Sequence, residues 1–133
     1  MSRTILVIDD DASVRYAIRR VIEEAGFAVE LAANGKEGLA VLDRISPVLV
    51  ITDLIMPERE GLETIMELRK RKPELPIVAI SGGGPPAQDY LHFARRLGAN
   101  EILAKPFEPE QLIEVLNRQL PAGGSAPAGA PSR

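Results

Sequence analysis

Ile5-Leu6-Val7-Ile8 is an unbroken apolar run closed by Thr4 on one side and three aspartates on the other. A run this short and this apolar reads as a strand buried on both faces. The pattern recurs along the chain, and its alternation with helical periodicity constrains the fold more than any other feature. Phe27 to Ala32, Val48 to Ile51, Pro76 to Ile80 and Glu101 to Ala104 read as four further strands. Between them, apolar residues fall at helical spacing. From Ser13 they are Val14, Ala17, Ile18, Val21, Ile22 and Ala25, with Gly26 placed to end the helix. After the Asn34-Gly35 turn they are Leu39, Leu42 and Ile45, and after a loop from Pro57 to Gly61 they are Leu62, Ile65, Met66 and Leu68. A fourth helix from about Ala87 carries Tyr90, Leu91, Phe93, Ala94 and Leu97, and a fifth carries Leu112, Val115 and Leu116.

Five βα units of this kind predict an α/β domain: a doubly wound parallel sheet with five strands, covered by helices on both faces. The predicted domain occupies residues 1–120. Residues 121–133, rich in Pro, Gly and Ala, offer no large side chain to bury and are expected to form a disordered tail or linker stub. A chain of 133 residues suits one such core. The net charge of −3 gives no overall field for nucleic acid, so no direct nucleic-acid partner is expected. No apolar run could cross a bilayer or serve as a signal peptide, and there are no cysteines, which excludes thiolate chemistry and fits a reducing compartment. A cytoplasmic protein is expected.

In a parallel sheet all carboxyl ends of the strands lie on one edge, where ligands bind. Asp9, Asp10 and Asp11 follow the first strand, Asp53 the third, Ser81 the fourth and Lys105 the fifth. Converging carboxylates repel one another, and a hard divalent cation such as Mg²⁺ relieves that repulsion. An ammonium and a hydroxyl beside them suit a transferring phosphoryl group. Each residue also has a plain structural role open to it: an aspartate can cap a helix, a serine beside glycines can turn a loop, and a lysine can be a solvated charge. Their joint placement at four of five strand ends is what favours chemistry.

At these residues the chain resembles the receiver domain of two-component response regulators, over roughly residues 3 to 120. The resemblance rests on Ile5 to Asp11, on Asp53-Leu54-Ile55-Met56-Pro57-Glu58-Arg59-Glu60-Gly61, on Ser81-Gly82 and on Ala104-Lys105-Pro106-Phe107. It implies a flavodoxin-like fold with strand order 2-1-3-4-5. It implies Asp53 as nucleophile and phosphoacceptor, and Asp10, Asp9, Asp53 and the backbone carbonyl of Ile55 as the Mg²⁺ set, Asp9 mainly through water. Ser81 and Lys105 would bind the transferred phosphoryl group, the Lys105–Pro106 peptide would be cis, and Asp11 would cap the following helix.

The implied donor is a phosphohistidine on a sensor histidine kinase or a histidine phosphotransfer protein. Output would pass by protein contact through the face of helix four, strand five and helix five, which leaves a homodimer open. Such a protein is a regulator that assists its own phosphorylation and dephosphorylation rather than an enzyme. The resemblance departs at Ile102, where receivers often carry an aromatic residue; switching is then expected to lean on the loop after Ser81 and the helix from Ala87. That loop, Gly82-Gly83-Gly84-Pro85-Pro86, is no phosphate-cradling P-loop, because no Gly-Lys-Ser/Thr follows. His92, the single histidine, is expected on the surface. Two alternatives remain: a haloacid-dehalogenase-like phosphatase using Asp9 as nucleophile, and a binding-only receiver fold.

Overall fold

A computed structural model describes residues 3–54, 60–82 and 92–120. The tail 121–133, the Ile55 carbonyl, most of the glycine–proline loop, Tyr90 and Leu91 lie outside the described residues.

The strands are β1 (Thr4–Ile8), β2 (Ala28–Ala32), β3 (Leu49–Asp53), β4 (Ile77–Ser81) and β5 (Glu101–Ala104). The helices are α1 (Ala12–Glu24), α2 (Gly35–Ile45), α3 (Glu60–Arg71), α4 (described over 92–97) and α5 (Pro109–Gln119). One parallel five-stranded sheet has the order β2-β1-β3-β4-β5. This is the flavodoxin-like doubly wound order. The first strand lies inside the sheet, and the chain reverses direction across it, so a crevice opens at the carboxyl ends of β1 and β3.

The reason the strands are apolar throughout is visible in the packing. Alternate residues point to opposite faces, and both faces are covered. Ile5, Val7, Leu49, Ile51, Val78 and Ile80 pack toward Ile18 and Ile22 of α1 and Leu112, Val115 and Leu116 of α5. Leu6, Ile8, Val50, Ile77 and Ala79 pack on the other side with Leu42, Ile65, Leu68 and Ala94. At about 1.5–3 kcal/mol for each fully buried large aliphatic side chain, these two layers hold the sheet rigid beneath the edge they support.

Several sequence expectations shift by a residue or a face. Asp53 and Ser81 are the last residues of their strands rather than loop residues beyond them. Continued backbone pairing decides this, because Asp53 still has Ile80 as its register partner and Ser81 still has Ala104. Gly61, placed in a loop by sequence, belongs to the first turn of α3. Met66 was expected in the buried stripe but is 53% exposed, because Ile65 and Leu68 already fill the contact with the sheet. On α4, Ala94 is buried while Phe93 is 56% exposed and His92 is exposed, so the wide apolar set on this helix is only partly core.

Candidate functional site

The register of the sheet assembles the site. Ile8 lies opposite Thr52, so one further residue sets Asp9 beside Asp53 at adjacent strand ends. By the two-residue period, Asp9 continues the stripe Ile5–Val7, Asp53 continues Leu49–Ile51, and Lys105 continues Leu103, all on the α1/α5 face. Asp9 and Asp53 are buried, while Asp10 is exposed at the rim. One carboxylate oxygen from each of Asp9, Asp10 and Asp53 lies within 4.8 Å of the others. Lys105 reaches in from the end of β5, its Nζ donating to Asp9 Oδ2 at 3.1 Å and to Asp53 Oδ2 at 3.5 Å.

The loop after β1 is fixed in detail. The Asp9 amide donates to the Ala32 carbonyl as the last rung between β1 and β2. The Asp9 carboxylate accepts the Asp11 amide at 2.8 Å through Oδ1 while its Oδ2 faces Lys105. Asp11 is the N-cap of α1, accepting from the amides of Ser13 and Val14. The Ser13 hydroxyl, donating to the same carboxylate at 2.7 Å, holds the Asp11 carboxyl below its ordinary range, and the two amides act in the same direction. Asp11 is therefore engaged as a cap, as its position had suggested.

Ser81 is fully buried at the end of β4, next to Asp53's strand. Its Oγ makes one long hydrogen bond, to the Gly82 carbonyl at 3.4 Å, and among the described residues none to the carboxylates. The Lys105 amide donates to the Ser81 carbonyl at 2.6 Å, which ties β5 to β4 at the site edge, and the Lys105–Pro106 peptide is cis. Beside Lys105 a largely apolar groove of about 600 Å³ opens between α1 and the Pro106–Phe107 segment.

Two residues that sequence reasoning did not assign a role support this geometry. A Cβ at Gly61 would lie 2.5 Å from the Leu54 carbonyl oxygen and 2.7 Å from that of Asp53. Only glycine lets α3 begin directly against the backbone that carries Asp53. Its signal in the sequence was its place at the end of the Asp53 to Gly61 stretch that carries the resemblance. The second is Arg15, whose guanidinium donates to the Asp9 carbonyl at 2.6 Å.

The donor set is suited to a hard cation. All three ligating groups are carboxylates, and the one ammonium among them leaves an excess of negative charge at a largely buried position. Oxygen-only donors with excess negative charge fit Mg²⁺ rather than a soft metal.

A doubly wound α/β domain with an acidic set and a lysine at its switch point defines the class. The particular family follows from comparison: the chain belongs to the response regulator receiver domain family, whose model matches residues 5–117. It is 33% identical over 119 residues to the chemotaxis protein CheY of Thermotoga maritima, covering 89% of this chain and 98% of that one. It is 34% identical over 130 residues to the response regulator MprA of Mycolicibacterium vanbaalenii, covering 95% of this chain and 55% of that longer protein. The receiver domain of NtrX from Brucella abortus superposes with a TM-score of 0.82 at 33% identity, covering 87% of this chain and 97% of that one. The family is that of receivers, which sets the phosphatase alternative aside. Among the described residues, no helix is long and apolar enough to cross a membrane.

Proposed function

We propose that Asp53 accepts a phosphoryl group from a phosphohistidine of a sensor histidine kinase or histidine phosphotransfer protein, in a Mg²⁺-dependent reaction. The observation that carries this reading is the convergence of the Asp9, Asp10 and Asp53 carboxylates with Lys105 Nζ across three strand ends. An Asp53 carboxylate oxygen attacks phosphorus, the P–N bond to the donor imidazole breaks, and its electron pair leaves with the imidazole. The product is an acyl phosphate on Asp53. Lys105, now paired with two carboxylates, is placed to pair with the incoming phosphoryl oxygens, and Ser81 is assigned as the hydroxyl that donates to one of them. Asp9, Asp10, Asp53 and the Ile55 carbonyl would hold Mg²⁺, which when bound would supply further charge neutralisation at those oxygens. Attack of water on the same phosphorus breaks the P–O bond to the Asp53 carboxyl, releasing inorganic phosphate and the free carboxylate.

The receiver unit is put at residues 1–120. Output is assigned to protein contact through the α4–β5–α5 face, where the exposed Phe93 side chain and the half-buried β5 edge offer apolar surface. Incubation with acetyl phosphate and Mg²⁺, followed by intact mass, tests the reading. A phosphate-sized gain is expected in the wild type, absent in Asp53→Ala and absent in the wild type after chelation with EDTA. A gain that survives Asp53→Ala would overturn the assignment.

A further inference from the structure

We infer that Arg15 is a positioning residue for the cation site: by holding the peptide between Asp9 and Asp10, it aims the Asp10 carboxylate at the set. The inference rests on the Mg²⁺ site proposed above. At the end of β1 the ladder stops at the Asp9 amide, which bonds to Ala32. The Asp9 carbonyl has left the sheet, and the Arg15 guanidinium takes it at 2.6 Å from the first turn of α1. The Asp9 carboxylate is fixed independently, by the Asp11 amide and Lys105. The Asp10 carboxylate, exposed and without a hydrogen bond among the described residues, is not. Its direction is set by its own backbone, and the peptide plane leading into that backbone is the one Arg15 holds.

A positive charge near a cation site repels the ion, so any gain in Mg²⁺ affinity that Arg15 brings must come from what its donor holds rather than from its charge. This sets two roles apart by sign. If Arg15 acted only as a nearby charge, removing it would tighten Mg²⁺ binding; if it positions Asp10, removing it weakens binding.

The test is Mg²⁺ affinity by isothermal titration calorimetry on the full chain, for wild type, Arg15→Met and Arg15→Lys, with thermal unfolding of each metal-free protein. The expected result is Mg²⁺ binding weakened about tenfold in Arg15→Met, the scale at which groups that orient metal ligands act. Arg15→Lys, which keeps the charge and a donor, should recover part of it with the unfolding temperature near that of the wild type. Amide chemical shifts of Asp10 and Asp11 in the metal-free protein should move in Arg15→Met and move back in part in Arg15→Lys. Unchanged or tighter binding in Arg15→Met, with wild type binding normally, would overturn the inference and leave the phosphoacceptor reading standing. A wild type that binds no Mg²⁺ would overturn both. If Arg15→Met does not fold, Arg15→Ala decides in its place: affinity equal to or above wild type with unmoved amides rejects the role.

Discussion

β3 and β5 both deliver a residue to the site, Asp53 as the last residue of one and Lys105 just after the other, yet they are built in different ways. Every residue of β3 is buried, and the strand is paired on both sides, by β1 and β4. β5 is an edge strand paired only with β4, and none of its residues is fully buried. The central strand fixes its terminal carboxylate through the sheet itself, in a place largely closed to water. The edge strand cannot do this. Its position is reinforced from outside the sheet, where the Arg118 guanidinium donates to both carboxylate oxygens of Glu101 at 3.1 and 3.2 Å, and Gln119 adds a third bond at 2.8 Å. The rigid element carries the proposed acceptor. The edge strand carries a long lysine side chain that pairs with two carboxylates and that we propose also meets the transferred phosphoryl group.

The largest effect that could break this comparison comes from truncating the same residue type on each strand. Ile51→Ala, at a fully buried position, should lower unfolding free energy by about 3 kcal/mol. Ile102→Ala, at a partly buried one, should cost about 1 kcal/mol. Urea denaturation reads both, and equal losses would mean that β5 is packed as firmly as β3.

A smaller effect sharpens the claim that the acceptor is held by backbone contact. Gly61→Ala must displace either α3 or the Asp53–Leu54 backbone, since the new Cβ meets main-chain atoms on all sides it approaches. The expected destabilisation is about 2 kcal/mol. Under conditions where the variant stays folded, its phosphate-sized mass gain from acetyl phosphate should also fall. An unaltered yield at lowered stability would separate the packing of α3 from the placement of Asp53.

The smallest effect concerns the clamp on β5. The Arg118 guanidinium beside Glu101 holds its carboxyl below the ordinary range; burial opposes this, and the Gln119 amide adds to it. A depressed folded value means the carboxylate stabilises the fold above the ordinary carboxylate range, and that the contribution fades as pH falls through the lowered value. Glu101→Gln should therefore unfold at a lower urea concentration than wild type at neutral pH, by less than any of the three substitutions above. The gap should close as pH falls below about 4. A gap that stays constant with pH would show that the charge on Glu101 contributes nothing to holding the edge.

Much of this was legible without coordinates, for particular reasons. Ile5 to Ile8 is readable as a strand because a parallel strand buried on both faces has no polar position to confuse the pattern. Asp11 is readable as a cap because caps are local. Asp9, Asp10, Asp53, Ser81 and Lys105 could be named together because a parallel sheet brings its carboxyl ends to one edge whatever the loop lengths. Met66 was misplaced because helical periodicity specifies an apolar stripe, while the neighbouring surface decides how wide that stripe is. Arg15 and Gly61 were not assigned as supports because each acts on main-chain atoms, and which backbone a residue meets is decided only in the folded chain.

Strand and helix alternation, the edge on which the chemistry collects and the residue types assembled there were already written in the chain. The alternation follows from hydrophobic periodicity, which depends on neighbours along the chain, and the edge from the parallel sheet that such alternation requires. Only the tertiary structure decided which of the gathered groups touch. It joined Lys105 to Asp9 and Asp53 and left Ser81 turned to the Gly82 carbonyl. It also set Arg15 on the Asp9 carbonyl and brought α3 against Asp53. These are matters of register and of sub-ångström approach between segments distant in sequence, and packing sets them once the sheet has closed.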